Sequence, residues 1–184
     1  GRSDTELNED GRELARKTAE GLKNVKFDLI FTSPLKRAYE TAEIIRRERN
    51  IPLIPREELL EISFGTYEGL CFGQENYNIP DKDFMNFFHK PQEYSTPPEG
   101  ESFEQVIART GEFLQELKEN RRYQDKTILL STHGCALKAI LANITKVSIE
   151  EFWGEGVHKN CAVSLVELQD GEFVLVEEGK VYYS

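Results

Sequence analysis

Cysteine, histidine and positive charge are all scarce in this chain, and each shortage removes a class of function. Cys71, Cys135 and Cys161 are odd in number, stand in no C-x-x-C spacing and trace no disulfide framework, which points to a reducing compartment, the cytoplasm by default. The histidines are His89, His133 and His158, without the local spacing of a three-histidine metal site, so a metal held by them is not expected. Lys and Arg total 23 against 33 Asp and Glu, and the formal charge of -10 argues against nucleic acid and anionic membrane surfaces as partners. No apolar run approaches the length of a membrane span, and no signal peptide opens the chain. Internal repeats, low-complexity tracts and linkers are missing too, and 184 residues suit one domain with a substantial core. An anionic ligand therefore has to be held by a local cluster of arginines against the overall field.

What is present is organised around Thr127-Ile-Leu-Leu-Ser-Thr-His-Gly134. Ile128-Leu129-Leu130 has no polar alternation, the pattern of a strand buried on both faces, and Cys135 to Ala142 has helical composition. His133 then falls at the carboxyl end of a parallel strand, the edge at which open α/β sheets bind ligands. Gly134 lets the following backbone approach a ligand closely. The competing reading of His133 is a helix cap or a partner for a sheet-end carbonyl.

Along the chain, Asn8 or Asp10 caps a first helix whose buried face holds Leu14, Thr18 and Leu22. Phe27 to Ser33 reads as a short apolar strand. Ser33-Pro34 predicts the start of a second helix running to about Arg49, with serine as cap and proline at the first helical position. Arg37 lies in its first turn, on the same rim of the sheet as His133, and is either a surface arginine near a helix end or, because a cation there is unfavourable for the helix dipole, a partner for an anion beside the free amides. Leu59 to Gly69 is loop-like, and Glu61 between Leu60 and Ile62 either faces outward or is a proton donor held in apolar company; the spacing favours outward. Cys71 to Pro98 forms either short helices over a pocket mouth or a satellite apolar cluster. Ser102 and Gln105 make a capping box for a helix burying Phe103, Val106, Ile107, Phe113, Leu114 and Leu117. Ser148 and Glu151 are spaced to cap a short helix containing Phe152 and Trp153. Asp170-Gly171 joins two last strands, 162–168 and 173–176, as a hairpin that ends the sheet as an antiparallel pair.

Six pieces, GRSDTELNEDGRELA, SPLKRAYETAEII, LLEISFGTYEGL, PPEGESF, LLSTHG and NCAVS, together resemble in order and spacing the histidine phosphatase (phosphoglycerate mutase-like) superfamily. The resemblance implies a three-layer α/β sandwich with a mostly parallel central sheet, helices on both faces and the C-terminal hairpin. It implies a histidine within an Arg-His-Gly tripeptide that takes the phosphoryl group of a monoester, without a metal or cofactor. By motif, Arg37 binds the phosphate oxygens, His133 donates a hydrogen bond to the developing charge, and Glu61 exchanges protons with the leaving oxygen and with water. Gly134 and Gly1 contribute to substrate binding. Glu99-Gly-Glu-Ser102 and Asn160 lie near the pocket mouth in either structural or binding roles.

The sequence has no Arg-His-Gly tripeptide, and Gly1-Arg2-Ser3-Asp4 resembles the piece that follows it. The expectation is that a first strand and the nucleophile loop precede Gly1 in the natural protein, and that residues 1–184 alone form no phosphoenzyme. The implied activity is hydrolysis of a small phosphorylated metabolite. A phosphoglycerate mutase, or a non-catalytic relative binding a phospholigand or a protein, is the alternative. The oligomeric state stays open, with the hairpin as the surface offered to another subunit.

Overall fold

The computed structural model describes residues 1–183, with the backbone alone for Gln74. Helix α1 (Glu9–Gly21) is capped by Asn8, whose side chain accepts the Gly11 amide at 2.8 Å. Its buried face is Ala15, Thr18 and Ala19, continued by Leu22, so the stripe runs through the alanines and Leu14 is only half-buried. Strand β1 (Leu29–Thr32) is buried at every residue and pairs in parallel with both β2 (Leu53–Pro55) and β3 (Ile128–Ser131). The register sets Ile30 opposite Leu53 and Phe31 opposite Leu130.

The sheet is covered on both faces, and the strand side chains show which helices lie where. Leu29, Phe31, Ile128 and Leu130 pack with Phe113 and Leu114 of α4 (Phe103–Glu119) and Ile140 of α5 (Gly134–Thr145). On the other face Leu129 packs with Ala19 and Leu22 from the α1 side and with Ile45 of α2 (Lys36–Arg46). This is the three-layer α/β sandwich, produced by the alternation of strand side chains between faces.

Four expectations change. The hairpin of β4 (Val163–Gln169) and β5 (Glu172–Lys180) is a separate two-stranded sheet, not a continuation of the parallel one. It reaches β3 through side chains only, with Phe173 beside Ile128 and Leu130, and Val163 and Tyr182 beside Leu129. Among the described residues β3 is therefore an edge strand, and Ile128, Leu129 and Leu130 are half-buried. Helix α2 begins two residues later than predicted and ends at Arg46. Ser33 Oγ accepts the Leu35 amide at 3.3 Å, while Lys36 N, the first helical amide, is capped from afar by Asp4 Oδ1 at 2.8 Å. Ser148 and Glu151 bracket a run of turns, with the Glu151 amide on the Ser148 carbonyl, and no helix forms there.

Between β2 and α4, the short helix α3 (Asn86–His89) carries Phe87 and Phe88 into an aromatic cluster with Phe64, Phe84 and Tyr94, and three-residue 3-10 turns form at Gln74–Asn76 and Pro91–Glu93. Phe87 stacks on Phe103 of α4 at a centroid distance of 5.1 Å and meets the Trp153 ring edge-to-face at 5.2 Å. The cluster is continuous with the core through Ile62, Cys135 and Ala139. The capping box of α4 forms in full, with Ser102 Oγ accepting from Gln105 N and Gln105 Oε1 accepting from Ser102 N.

Candidate active site

Glu61 follows the 3-10 turn Glu57–Leu59, and the fully buried Leu59 and Ile62 on either side fix its backbone. Its carboxylate does not face outward. Oε2 accepts the Cys135 amide at 3.2 Å, and Oε1 accepts the Ala136 amide at 3.1 Å and the Ile62 amide at 2.9 Å. Glu61 thus sits on the free amides that open α5, where the helix dipole favours negative charge.

His133 is the residue before α5, at the carboxyl end of β3, as its place in the sequence requires. Its Nε2 lies 2.7 Å from Ser33 Oγ at the end of β1. Burial, then the nearby positive charge of Arg37, lower its pKa from 6.5 to about 3, so the imidazole is neutral here. The hydroxyl assigned from sequence to capping α2 instead joins the ends of β1 and β3.

Arg37 reaches the same rim from the first turn of α2. Its two terminal nitrogens donate to the carbonyls of Ser3 at 2.7 Å and Gly1 at 2.9 Å. Gly1 itself packs against Glu68, such that a Cβ there would fall 2.3 Å from Glu68 Oε2. A Cβ at Gly134 would fall 3.2 Å from Val157 Cγ1 and 3.8 Å from Glu61 Oε2, so glycine permits the 154–162 loop and Glu61 to converge over the start of α5. Arg37, Glu61, His133, Gly134 and Gly1 are thereby brought to one end of the sheet. Of the weaker candidates, the Asn160 carbonyl accepts the Tyr183 hydroxyl and its side chain has no assigned part.

Glu68 and Arg109 escaped the sequence reading, whereas Glu101 lies in the Glu99-Gly-Glu-Ser102 stretch named there. Glu68 accepts the amides of Arg2 at 2.7 Å and Phe64 at 2.9 Å and the Ser3 hydroxyl at 3.2 Å. Burial pushes its carboxyl up, but these donors outweigh burial and hold it below the usual carboxylate range. Glu101 takes a two-point contact from Arg109 at 2.7 and 3.0 Å and a third bond from Arg2 at 2.9 Å. Arg2 and Arg109 also donate to the Glu61 carbonyl, at 2.8 and 3.3 Å. Glu68 stood in the motif stretch as its second acid, which was the available signal. Arg109 had none, because its partners lie on other loops.

Among the described residues no cluster of three His, Cys, Asp or Glu side chains is placed to hold a metal ion, and no helix is long and apolar enough to cross a membrane. Cys71, Cys135 and Cys161 are free.

The arrangement has known counterparts. The profile of the histidine phosphatase superfamily (branch 1) matches residues 1–180. The chain is 31% identical to a putative phosphoserine phosphatase 2 of Hydrogenobacter thermophilus, covering 100% of this chain and 88% of that protein. It is 27% identical to phosphoserine phosphatase 1 of the same organism, over 95% of this chain and 80% of the relative. Among solved structures, Bacillus stearothermophilus YhfR superposes with a TM-score of 0.88 at 33% identity, covering 98% of this chain and 88% of that one. The motifs, the strand-end placement of His133 and Arg37, and the match over nearly the full length agree: this chain belongs to the histidine phosphatase superfamily.

Proposed function

We propose that this protein is a phosphomonoester phosphatase that acts on a small phosphorylated metabolite through a phosphohistidine, without a metal. The observation that carries the reading is the meeting of Arg37, His133 and Glu61 at the amino terminus of α5, where amides, dipole and a guanidinium fork all suit a phosphate. The relatives named as phosphoserine phosphatases support the same activity.

A dianion arriving there competes with Glu61 for the amides of Cys135 and Ala136. In the role the resemblance implies, the Glu61 carboxyl, displaced from them, gives a proton to the ester oxygen as the P–O bond breaks and afterwards takes one from the attacking water. Arg37 exchanges its carbonyl partners for phosphate oxygens, and the neutral His133 donates one ring N–H to the transferring group. Catalysis of this kind is positioning and electrostatic stabilisation.

The nucleophilic histidine belongs, in this proposal, to the Arg-His-Gly tripeptide that the resemblance implies and that residues 1–184 do not contain. The histidines at hand support it: His89 is exposed, His158 is held by Glu178 at 2.9 Å, and His133 Nε2 is engaged with Ser33.

The test is hydrolysis of a chromogenic phosphomonoester by the full-length protein in EDTA. Arg37→Ala is expected to weaken inorganic phosphate inhibition by about tenfold or more, since a charged two-point contact is lost. Glu61→Gln is expected to lower kcat by about 100-fold or more while leaving KM nearly unchanged. Near-parent turnover by both variants rejects the assignment.

A further inference from the structure

We infer that Val157 is a specificity-determining residue, presenting an apolar wall to the part of the substrate that leaves as an alcohol. The preferred phosphomonoesters then carry an uncharged carbon group, and no carboxylate, next to the ester oxygen. The inference rests on the phosphatase reading and adds the leaving-group class to it.

Position is the first support. The point above Gly134 where a Cβ would lie is 3.2 Å from Val157 Cγ1 and 3.8 Å from Glu61 Oε2. Val157 and the Glu61 carboxylate therefore flank the same point above Gly134, and the leaving oxygen has to lie within hydrogen-bond reach of the proton donor.

The second support is that the valine is held there. A lone exposed valine is ordinary on a protein surface, and Val157 is 52% exposed. This one stands between two fixed points. On one side Phe152 and Trp153 are buried in the aromatic cluster. On the other, His158 Nε2 bonds Glu178 Oε1 of β5 at 2.9 Å, and the same oxygen receives Lys138 Nζ of α5 at 3.1 Å. Lys138 is itself buried. The loop is thus tied to the helix whose amino terminus forms the site.

Charge is the third support. Arg37 serves the phosphoryl group. Arg2 and Arg109 are both committed to Glu101 and to the Glu61 carbonyl. Glu155 on the same loop and Glu68 are acidic, and Lys159 is exposed. A leaving group with a carboxylate would lose water against an apolar wall with no cation fixed to receive it.

The experiment compares kcat/KM of the full-length protein for benzyl phosphate and phosphoglycolate, in the parent, Val157→Ala and Val157→Arg, with inorganic phosphate binding by calorimetry alongside. The parent is expected to favour benzyl phosphate by about tenfold or more, within the range that one apolar contact surface supplies. Val157→Arg is expected to cut that ratio by about tenfold, chiefly through a lower KM for phosphoglycolate, and Val157→Ala to cut it by about threefold through a higher KM for benzyl phosphate. Inorganic phosphate is expected to bind Val157→Ala as it binds the parent. A parent that favours phosphoglycolate, or a ratio constant within about twofold across the variants, overturns the role of Val157 while phosphate binding and turnover leave the phosphatase reading intact. No phosphate binding and no release from either ester overturns both.

Discussion

His133 is placed where burial and the Arg37 guanidinium both oppose a positive imidazole. Its folded pKa of about 3 is far below the value of 6.5 for a free side chain, so between these values the unfolded chain binds a proton that the folded protein does not. Stability is therefore expected to fall as pH drops from about 6.5 towards 3, by at most about 1.4 kcal/mol per pH unit from this residue. Urea midpoints measured from pH 7 to pH 4 check it, and His133→Asn is expected to flatten that part of the profile. At the same scale the sequence identified the residue types and the rim they share, because Arg37 and His133 each follow a strand by a short local step. It misjudged Glu61. The pull of the α5 amides on that carboxylate comes from residues 74 and 75 positions away, and no spacing near Leu60 and Ile62 announces them.

Helix ends show the same division between local and distant causes. The α4 capping box needs only Ser102 and Gln105, and both were read directly. Ser102→Ala is expected to cost about 1 kcal/mol, seen as a lower urea midpoint with unchanged denaturant slope. The hairpin turn was equally legible, since Asp170 and Gly171 take φ of 50° and 81°, the left-handed geometry that an Asp-Gly pair favours. Helix α2 was misread because its cap is Asp4, 32 positions upstream, and Ser33 is drawn instead to His133. Asp4→Ala is expected to destabilise by about 1 kcal/mol, whereas a Ser33→Ala change of similar size is expected to be accompanied by altered His133 titration, measurable by proton NMR.

For the whole molecule, the layer order followed from the apolar runs, but the edge position of β3 did not, because a run of leucines looks the same beside one strand or two. Three clusters draw on every helix of ten or more residues and on both sheets, so we propose that residues 1–184 form a single domain. Near-ultraviolet and far-ultraviolet dichroism are expected to report one coincident unfolding transition. Phe87→Ala removes a ring that contacts Phe103 and Trp153 and is expected to cost about 3 to 5 kcal/mol in that same transition. Trp153 is the chain's one tryptophan, walled by Phe87, Phe88, Phe103 and Phe152 with its indole N–H on the Phe87 carbonyl, and it stands four residues before Val157. The protein thus carries its own optical gauge: intrinsic emission excited at the indole should respond to whatever presses on the rim of the site, so ligand occupancy can be followed in real time without a label.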